Sequence, residues 1–443
     1  MSFINTISER IILPLSDFAI GQSVAKHLKL LTKSQWWSEK ELRNYQEARL
    51  QKLIKHSALT VPYYQDLFQR NGLKVEDIKT IEDLKKIPIL TKDIIKKEGL
   101  DRFTSSAIPP RKRIRTSSSG STGEPLVFYT TKEAYSFNIA ANLRGWSWMG
   151  YRLGDKFVKI SNVPRNRLKK IQDFFSRNKC IYFSSTDDTS LLKTLEEINA
   201  YKPKILRSYI ANLSLLLKAS NKYNVPIKNL KAITTTGSVL HEYFRVDIER
   251  ATHVKVFDAY SCEGGATVFE CNTHSCYHST MEYAISEIIL NNESGLGRMV
   301  TTDLWNYATP FIRYDSQDLM ELSSNKCSCG RNLLPIKKII GRDYDILITP
   351  DGRYVTPLRL GVFFRTLSDV VQYQVRQETV NTYVIYLKTS DKRINETELK
   401  VKAFWREIFG DQAILNIYSV DNIPLTKSGK RRYVIRAENI TLS

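Results

Sequence analysis

No stretch of the 443 residues stays apolar for the roughly 20 positions a membrane-spanning helix needs, which excludes an integral helical membrane protein. The start of the chain lacks a signal-peptide core as well. Glu9 and Arg10 precede a short apolar run that Pro14 and Asp17 interrupt, so a soluble cytoplasmic protein is expected. Six cysteines in so long a chain are too few for a disulfide framework. Internal repeats and low-complexity tracts are missing, which sets aside solenoids and disordered tails. Acids are scarce beside bases: 46 Asp and Glu against 66 Lys and Arg, a net charge of +20. That excess attracts polyanions, whether nucleic acid, an acidic membrane surface or a phosphate-bearing small substrate, and does not choose among them. What is present is ordinary globular material, 42% hydrophobic and 25% charged, enough for a large core divided over two to four folded units.

Leu42, Tyr45, Leu50, Leu53 and Ile54 space an amphipathic helix over 40–60, ended before Val61-Pro62, and a second helical stretch is expected at 81–84. Strand-like runs then alternate with helical ones: 126–129, 156–160, 205–206, 232–236 and 254–257. This alternation predicts parallel β/α layers over the first three-quarters of the chain. The remainder reads as a small α+β domain. A hairpin is expected at 343–355 around Asp351-Gly352, two β-rich runs lie within 370–387, and a helix capped by Asn395-Glu-Thr-Glu398 stops at Gly410. The domain limits are placed at 1–341 and 342–443.

Ser117 to Gly123 is a run of small hydroxyl residues with two glycines, able to fold its backbone around an anion with N–H and O–H donors unobstructed. It is not a Walker loop. No Gly-Lys-Ser/Thr follows, and Pro125 with Leu126 to Tyr129 predicts a strand where a Walker loop opens a helix. A flexible Ser/Gly linker is the competing reading of the same residues.

Several further segments, in order, bring the sequence close to a known group. Ser118-Ser-Gly-Ser-Thr-Gly-Glu-Pro125 resembles the phosphate loop of the adenylate-forming superfamily, and Phe257-Asp-Ala-Tyr-Ser-Cys-Glu263 its aromatic-and-glutamate motif. Phe311-Ile-Arg-Tyr-Asp-Ser-Gln-Asp318 resembles the ribose motif, Gly341-Arg-Asp-Tyr-Asp345 the interdomain hinge, and Pro424-Leu-Thr-Lys-Ser-Gly-Lys430 the segment with the catalytic lysine. Within that superfamily Ser34-Gln-Trp-Trp-Ser38, His56-Ser-Ala58, Val61-Pro-Tyr-Tyr64 and Ile87-Pro-Ile-Leu-Thr-Lys92 are similar to the N-terminal pattern of the phenylacetate-CoA ligase-like group, which includes capsule-biosynthesis (CapK-type) members.

The resemblance implies an α/β fold, with a large adenylate-forming domain of layered sheets and a small mobile C-terminal domain. It implies an AMP-forming acid–thiol ligase that uses ATP, Mg2+ and coenzyme A to activate a small carboxylic acid. Lys430 would deliver positive charge to the reacting phosphoryl group, a task suited to a compact ammonium on a flexible stem. Glu263, with Thr122, would hold magnesium through hard oxygen ligands. Ser118, Ser119, Gly120, Ser121, Thr122 and Gly123 would cradle the phosphates. Thr235, Thr236 and Gly237 would line the nucleotide and acyl pockets. Asp258 would accept from the adenine amino group, Tyr260 would lie on the adenine face, Asp318 would accept from the ribose and Arg342 would orient it. Trp146, Tyr209 and Thr236 are candidates for the acyl pocket. The chain departs from the pattern at Ser238, Ser261, Cys262 and Tyr344; at Cys262 a thiol, a weaker donor, stands where a hydroxyl is usual.

Five of the six cysteines fall between Cys262 and Cys329. Glu270-Cys-Asn-Thr-His-Ser-Cys-Tyr-His278 and Cys327-Ser-Cys329 can together supply four soft or borderline ligands to a structural zinc. The resemblance selects Cys271, His278, Cys327 and Cys329, with Cys276 and His274 as substitutes; reduced thiols without metal are the alternative. A basic zinc protein that binds nucleic acid is the rival class. No finger spacing, aromatic RNA-binding signature or recognition helix accompanies the charge, so no specific nucleic-acid partner is expected. Within the ligase reading, the acyl group passes either to coenzyme A or to an amine, sugar or carrier in polysaccharide biosynthesis.

Overall fold

The computed structural model describes residues 3–118, 126–162, 164–165, 167–183, 185, 187–290, 296–342, 345–367, 369–390, 394–424, 432–437 and 440. The chain divides into two compact units, Met1–Leu240 with Phe244–Ile339, and His241–Tyr243 with Ile340–Ser443. No helix among the described residues is long and apolar enough to cross a membrane.

In the first unit the helix Glu39–Thr60 starts at a capping box: Glu41 N–H donates to the Ser38 hydroxyl, and Ser38 N–H donates to the Glu41 carboxylate at 2.8 Å. It buries Leu42, Leu50, Leu53 and Ile54 and ends where Val61 turns extended before Pro62, which opens the next helix. The helical stretch expected at 81–84 is a short 3-10 turn, Glu82–Lys86. Asp83 holds the N–H groups of Lys79 and Thr80 on one side, and Ile87 is kept extended ahead of Pro88 on the other. Too few residues remain between them for an α-helix.

A short ribbon pairs β1 (Ile114–Ser117) with β2 (Val127–Thr130). The main sheet takes β3 (Phe157–Ser161), β4 (Asn178–Tyr182), β5 (Ile205–Ser208), β6 (Ala232–Thr236), β7 (Lys255–Ser261), β8 (Thr267–Glu270), β9 (Tyr277–Ser279), β10 (Ala284–Leu290), β11 (Leu296–Asp303), β12 (Tyr314–Leu322) and β13 (Pro335–Arg342). Among the described residues its order is β10-β11-β12-β13-β9-β8-β7-β6-β5-β3-β4. The last five of these strands are mutually parallel, and β3, β5 and β6 among them are largely buried on both faces, in keeping with the apolar residues they share. Val158, Ile160, Leu206, Ile233 and Val256 enter a core that also takes Leu195 and Ile198 of the helix Asp188–Tyr201 and Leu213 and Leu216 of Ile210–Tyr223. Phe157, Ile205 and Ala232 enter the opposite core, with Phe137, Ala140 and Ala141 of the helix Lys132–Ser147 and Leu50 and Leu53 of the first helix. Beyond β7 the sheet is antiparallel around Ala266, Val268, Ala284, Met299, Met320 and Ile336.

The second unit holds the hairpin β14 (Leu347–Ile348) and β15 (Tyr354–Val355), then β16 (Val370–Gln377), β17 (Thr382–Thr389), β18 (Ile414–Ser419) and β19 (Val434–Arg436), with the last four in one sheet ordered β18-β17-β16-β19. Its core gathers Phe364, Tyr383, Trp405 and Phe409. Asn395 is not the N-cap expected: the helix runs Ile394–Phe409 and includes it, and the Thr397 hydroxyl donates to the Asp369 carboxylate instead. The helix stops before Gly410, as the sequence predicts.

Candidate active site

Strand β7 is where the main sheet changes direction, parallel to β6 on one side and antiparallel to β8 on the other. Ligands of open α/β sheets gather at the carboxyl ends of strands near such a change of order. Thr235 and Asp258 are register partners there, and the Thr235 hydroxyl donates to Asp258 Oδ1 at 2.8 Å. Tyr277 donates to Oδ2 at 3.3 Å, while Asp258 N–H donates to Glu270, itself paired with Arg245 at 2.9 Å. Burial pushes the Asp258 carboxyl up to about 7, against the pull of the Thr235 hydrogen bond. Thr236 follows at the strand end, and Gly237, with φ of +79°, turns the chain off the sheet in the left-handed region.

Tyr260 donates its phenol proton to Asp318 Oδ2 at 2.6 Å. Three strands separate β7 from β12 in sheet order, so the curl of the antiparallel half brings these two together. Burial and the Asp318 charge hold the Tyr260 phenol far above its usual range, which leaves it a neutral donor. Asp318 is itself oriented by a hydrogen bond from its N–H to the Ser316 hydroxyl at 3.2 Å.

Glu263 sits half-buried on the tight turn after β7, which is closed by Cys262 N–H to Ala266 O at 3.1 Å. Among the described residues its carboxylate has no hydrogen-bond or ion-pair partner, so both oxygens are open to a hard cation. The turn admits no side chain at the next two positions. A Cβ on Gly264 would collide with Thr301 Oγ1, and one on Gly265 would lie 2.6 Å from Asp303 Cγ. Cys262 faces Thr301 Oγ1 at 3.9 Å, and burial raises its thiol to about 12, so it remains a neutral, weak donor.

Ser118 closes the neck of the hydroxyl-rich loop. Its N–H donates to Leu126 O, and its hydroxyl accepts from Leu126 N–H, both at 2.8 Å. Ser119, Gly120, Ser121, Thr122 and Gly123 lie outside the described residues, as do Lys430 and Tyr344 of the lysine and hinge motifs. Arg342 is the last residue of β13 and belongs to the second unit. There Arg432, two residues past Lys430, pairs with Asp345 of the hinge motif at 3.2 Å. The structure thus brings together Thr235 with Asp258 and Tyr260 with Asp318, and places Thr236 and Glu263 at strand ends of the same unit.

The cysteines and histidines of the expected clamp converge. Sγ atoms of Cys271 and Cys327 are 3.5 Å apart, Cys276 Sγ is 3.5 Å from His278 Nε2, and Cys329 Sγ is 3.1 Å from that nitrogen. Ligands on a tetrahedral zinc are about 3.5–3.8 Å apart, so the donors fit the ion. His278 Nδ1 lies 3.1 Å from Leu333 O, the partner that turns Nε2 toward the thiols. The donor atoms of Cys271, Cys276, His278 and Cys327 all lie within 4.8 Å of one another, and Cys329 also stands against His278, so either Cys276 or Cys329 can complete the set. The strand turn Glu270–Tyr277 faces the Cys276 thiol inward, which spacing alone does not reveal. His274 is turned away and engages Glu270 at 2.9 Å.

Sequence reasoning missed Lys159 and Arg207, which lie on the same face of the sheet as Thr236. The signal was a single charge inside an otherwise apolar strand, Phe157-Val-Lys-Ile160 and Ile205-Leu-Arg207.

Residues 347–437 match the family model of the CapK C-terminal domain. Protein CapK of Staphylococcus aureus is 25% identical over 407 residues, covering 89% of each chain. A phenylacetate-coenzyme A ligase of Thermus thermophilus is 23% identical over 412 residues, covering 83% of each. Among solved structures, 2-hydroxyisobutyryl-CoA ligase in its postadenylation state, in complex with an acyl-AMP, superposes with a TM-score of 0.72 at 16% identity, over 92% of this chain and 93% of that one.

Proposed function

The chain belongs with the homologues of CapK and the phenylacetate-coenzyme A ligases and has the fold of adenylate-forming enzymes, and from that premise we infer that it activates a carboxylic acid with ATP. A carboxylate oxygen attacks the α-phosphorus, the bond to the β-phosphate oxygen breaks, and pyrophosphate leaves with that electron pair. An acceptor then attacks the acyl carbon and AMP departs.

The observation that carries this reading is the Tyr260–Asp318 pair beside Thr235–Asp258 at the change of strand direction, a polar cradle of a kind an adenosine requires. Asp318 accepts from the ribose hydroxyls, and Tyr260 keeps it oriented while offering its ring to the base. Asp258, Thr236 and Gly237 line the adenine side, and Arg342 orients the ribose. Glu263 and Thr122 would hold magnesium, which would screen the phosphate charge. Ser118 to Gly123 grips the departing phosphates, and Lys430, carried by the C-terminal domain of residues 342–443, meets the charge that grows on the α-phosphoryl oxygens. Zinc would tie Cys271, His278 and Cys327, with Cys276 or Cys329, into one clamp and would take no part in the chemistry.

Coenzyme A is the acceptor in the first reading. The match of residues 347–437 to the CapK C-terminal domain favours a second, in which an amine, sugar or carrier attacks. Acid-dependent exchange of labelled pyrophosphate into ATP tests the activation step. Its absence across aryl, fatty and amino acids would sink the proposal, and repeating the reaction with coenzyme A or with hydroxylamine separates the acceptors.

A further inference from the structure

Lys159 on β3 and Arg207 on β5 are register partners on adjacent parallel strands. Their neighbours fix which face they occupy, because side chains alternate along a strand. Val158, Ile160 and Leu206 enter one core, and Phe157 and Ile205 the other; Lys159 and Arg207 follow the second pair. The Arg207 guanidinium lies 5.4 Å from the centre of the Trp146 ring, which packs on Phe157 at 4.9 Å. Both cations are half-buried, and among the described residues neither has a hydrogen-bond or ion-pair partner. Asp173 and Cys180 act on Lys159, and Tyr209 on Arg207, through space only and less than burial does. A third cation, Arg165, is held by Asp173 at 3.0 Å, and the thiol of Cys180 stands opposite Lys159 on β4. Burial first, and Arg207 and Arg165 after it, pull the Lys159 ammonium down to about 8.

Like charges in register on a half-buried face repel each other and are poorly solvated, so such a pair without an acid is costly unless an anion joins it. Thr236, at the carboxyl end of β6, shares this face. By strand rise and spacing its Cα is about 8 Å from that of Arg207 and about 12 Å from that of Lys159. A short acid with its reacting carboxylate at the strand ends reaches both. Resting on the adenylation reading above, we propose that the acid this chain activates carries a second anionic group, a carboxylate or a phosphate-type oxyanion, held by Lys159 and Arg207 beside Trp146. Arg207 supplies the planar fork for two oxygens, Lys159 a point charge, and Trp146 an apolar wall for the connecting carbons. A simple fatty or aryl acid leaves both cations unpaired.

The test is pyrophosphate exchange with phenylacetate, hexanoate, adipate and 5-phosphonopentanoate. One of the two doubly charged acids is expected to exceed hexanoate in kcat/KM by about 100-fold or more, and which one does so names the group. Arg207→Met and Lys159→Met should each cut that ratio about tenfold or more. Equal use of hexanoate, or a ratio that neither substitution moves, overturns the proposal. Exchange with phenylacetate or hexanoate alone leaves adenylation standing and removes the second anion. Should no acid support exchange, melting temperatures judge the anion site separately: adipate or the phosphonate should raise the melting temperature of the parent above the value in equal hexanoate, but not that of the double variant. Equal temperatures in the parent refute the site. The variants' own melting temperatures, expected at or above the parent's, exclude a loss of fold.

Discussion

Arg144 and Arg207 stand over two tryptophans at the end of one helix, each guanidinium 5.4 Å from its ring centre, in opposite electrostatic situations. Arg144, 1% exposed, donates to Glu282 at 2.8 Å and to Thr280 at 3.1 Å. Arg207 has Trp146 and no carboxylate among the described residues. Burial lowers the proton affinity of both guanidinium groups; the Glu282 carboxylate opposes this at Arg144, whereas at Arg207 the opposing group is the Tyr209 phenol and not a carboxylate. The difference separates charge that holds the fold from charge that waits for a ligand. A buried ion costs several kcal/mol unless paired, and a chain that gives one arginine a carboxylate partner has the means to pair the other.

The sharpest way to break this distinction is Glu282→Gln, which strands Arg144. It should cost about 3–5 kcal/mol in urea unfolding, whereas Arg207→Met should cost none. Equal losses would erase the contrast. Lys430→Ala belongs to the waiting class: exchange should fall about 100- to 1,000-fold, with the urea midpoint unchanged and ATP binding retained. Next comes the clamp. Untagged protein should contain one zinc per chain by elemental analysis, and Cys276→Ser should lose more of it than Cys329→Ser; the reverse order would favour the set expected from the sequence. The smallest effect concerns Asp258. Its native carboxyl is raised to about 7, so it binds a proton more tightly folded than unfolded. That contribution is present below about pH 4 and lost as pH rises through 7. Asp258→Asn should flatten this decline in unfolding curves taken across the interval.

The parallel half of the sheet was legible because strands buried on both faces have little choice of residue, and the runs at 156–160, 205–206 and 232–236 lie where β3, β5 and β6 form. Local competition was harder to read. Asp83 and Pro88 shorten a helix to a turn, and Thr397 finds Asp369, distant in sequence, rather than a cap. The site was legible as motifs and not as partners. Nothing in the order of letters shows Tyr260 reaching Asp318 across three strands, because that contact depends on how far the sheet curls. Cys276 and Cys329 are equivalent by composition, and both sulfurs reach His278, a convergence that spacing along the chain does not show. Lys159 and Arg207 declared themselves as charges in apolar strands, yet their being neighbours required the order in which β3 and β5 assemble.

The corner after β7 also limits how this protein can be altered by descent. Since positions 264 and 265 tolerate nothing larger than hydrogen, heritable novelty there is confined to residues 261 to 263, and it is at 261 and 262 that the chain departs from the pattern it resembles. A library randomised across all five positions should therefore return survivors varied at 261 and 262 and monotonous at 264 and 265.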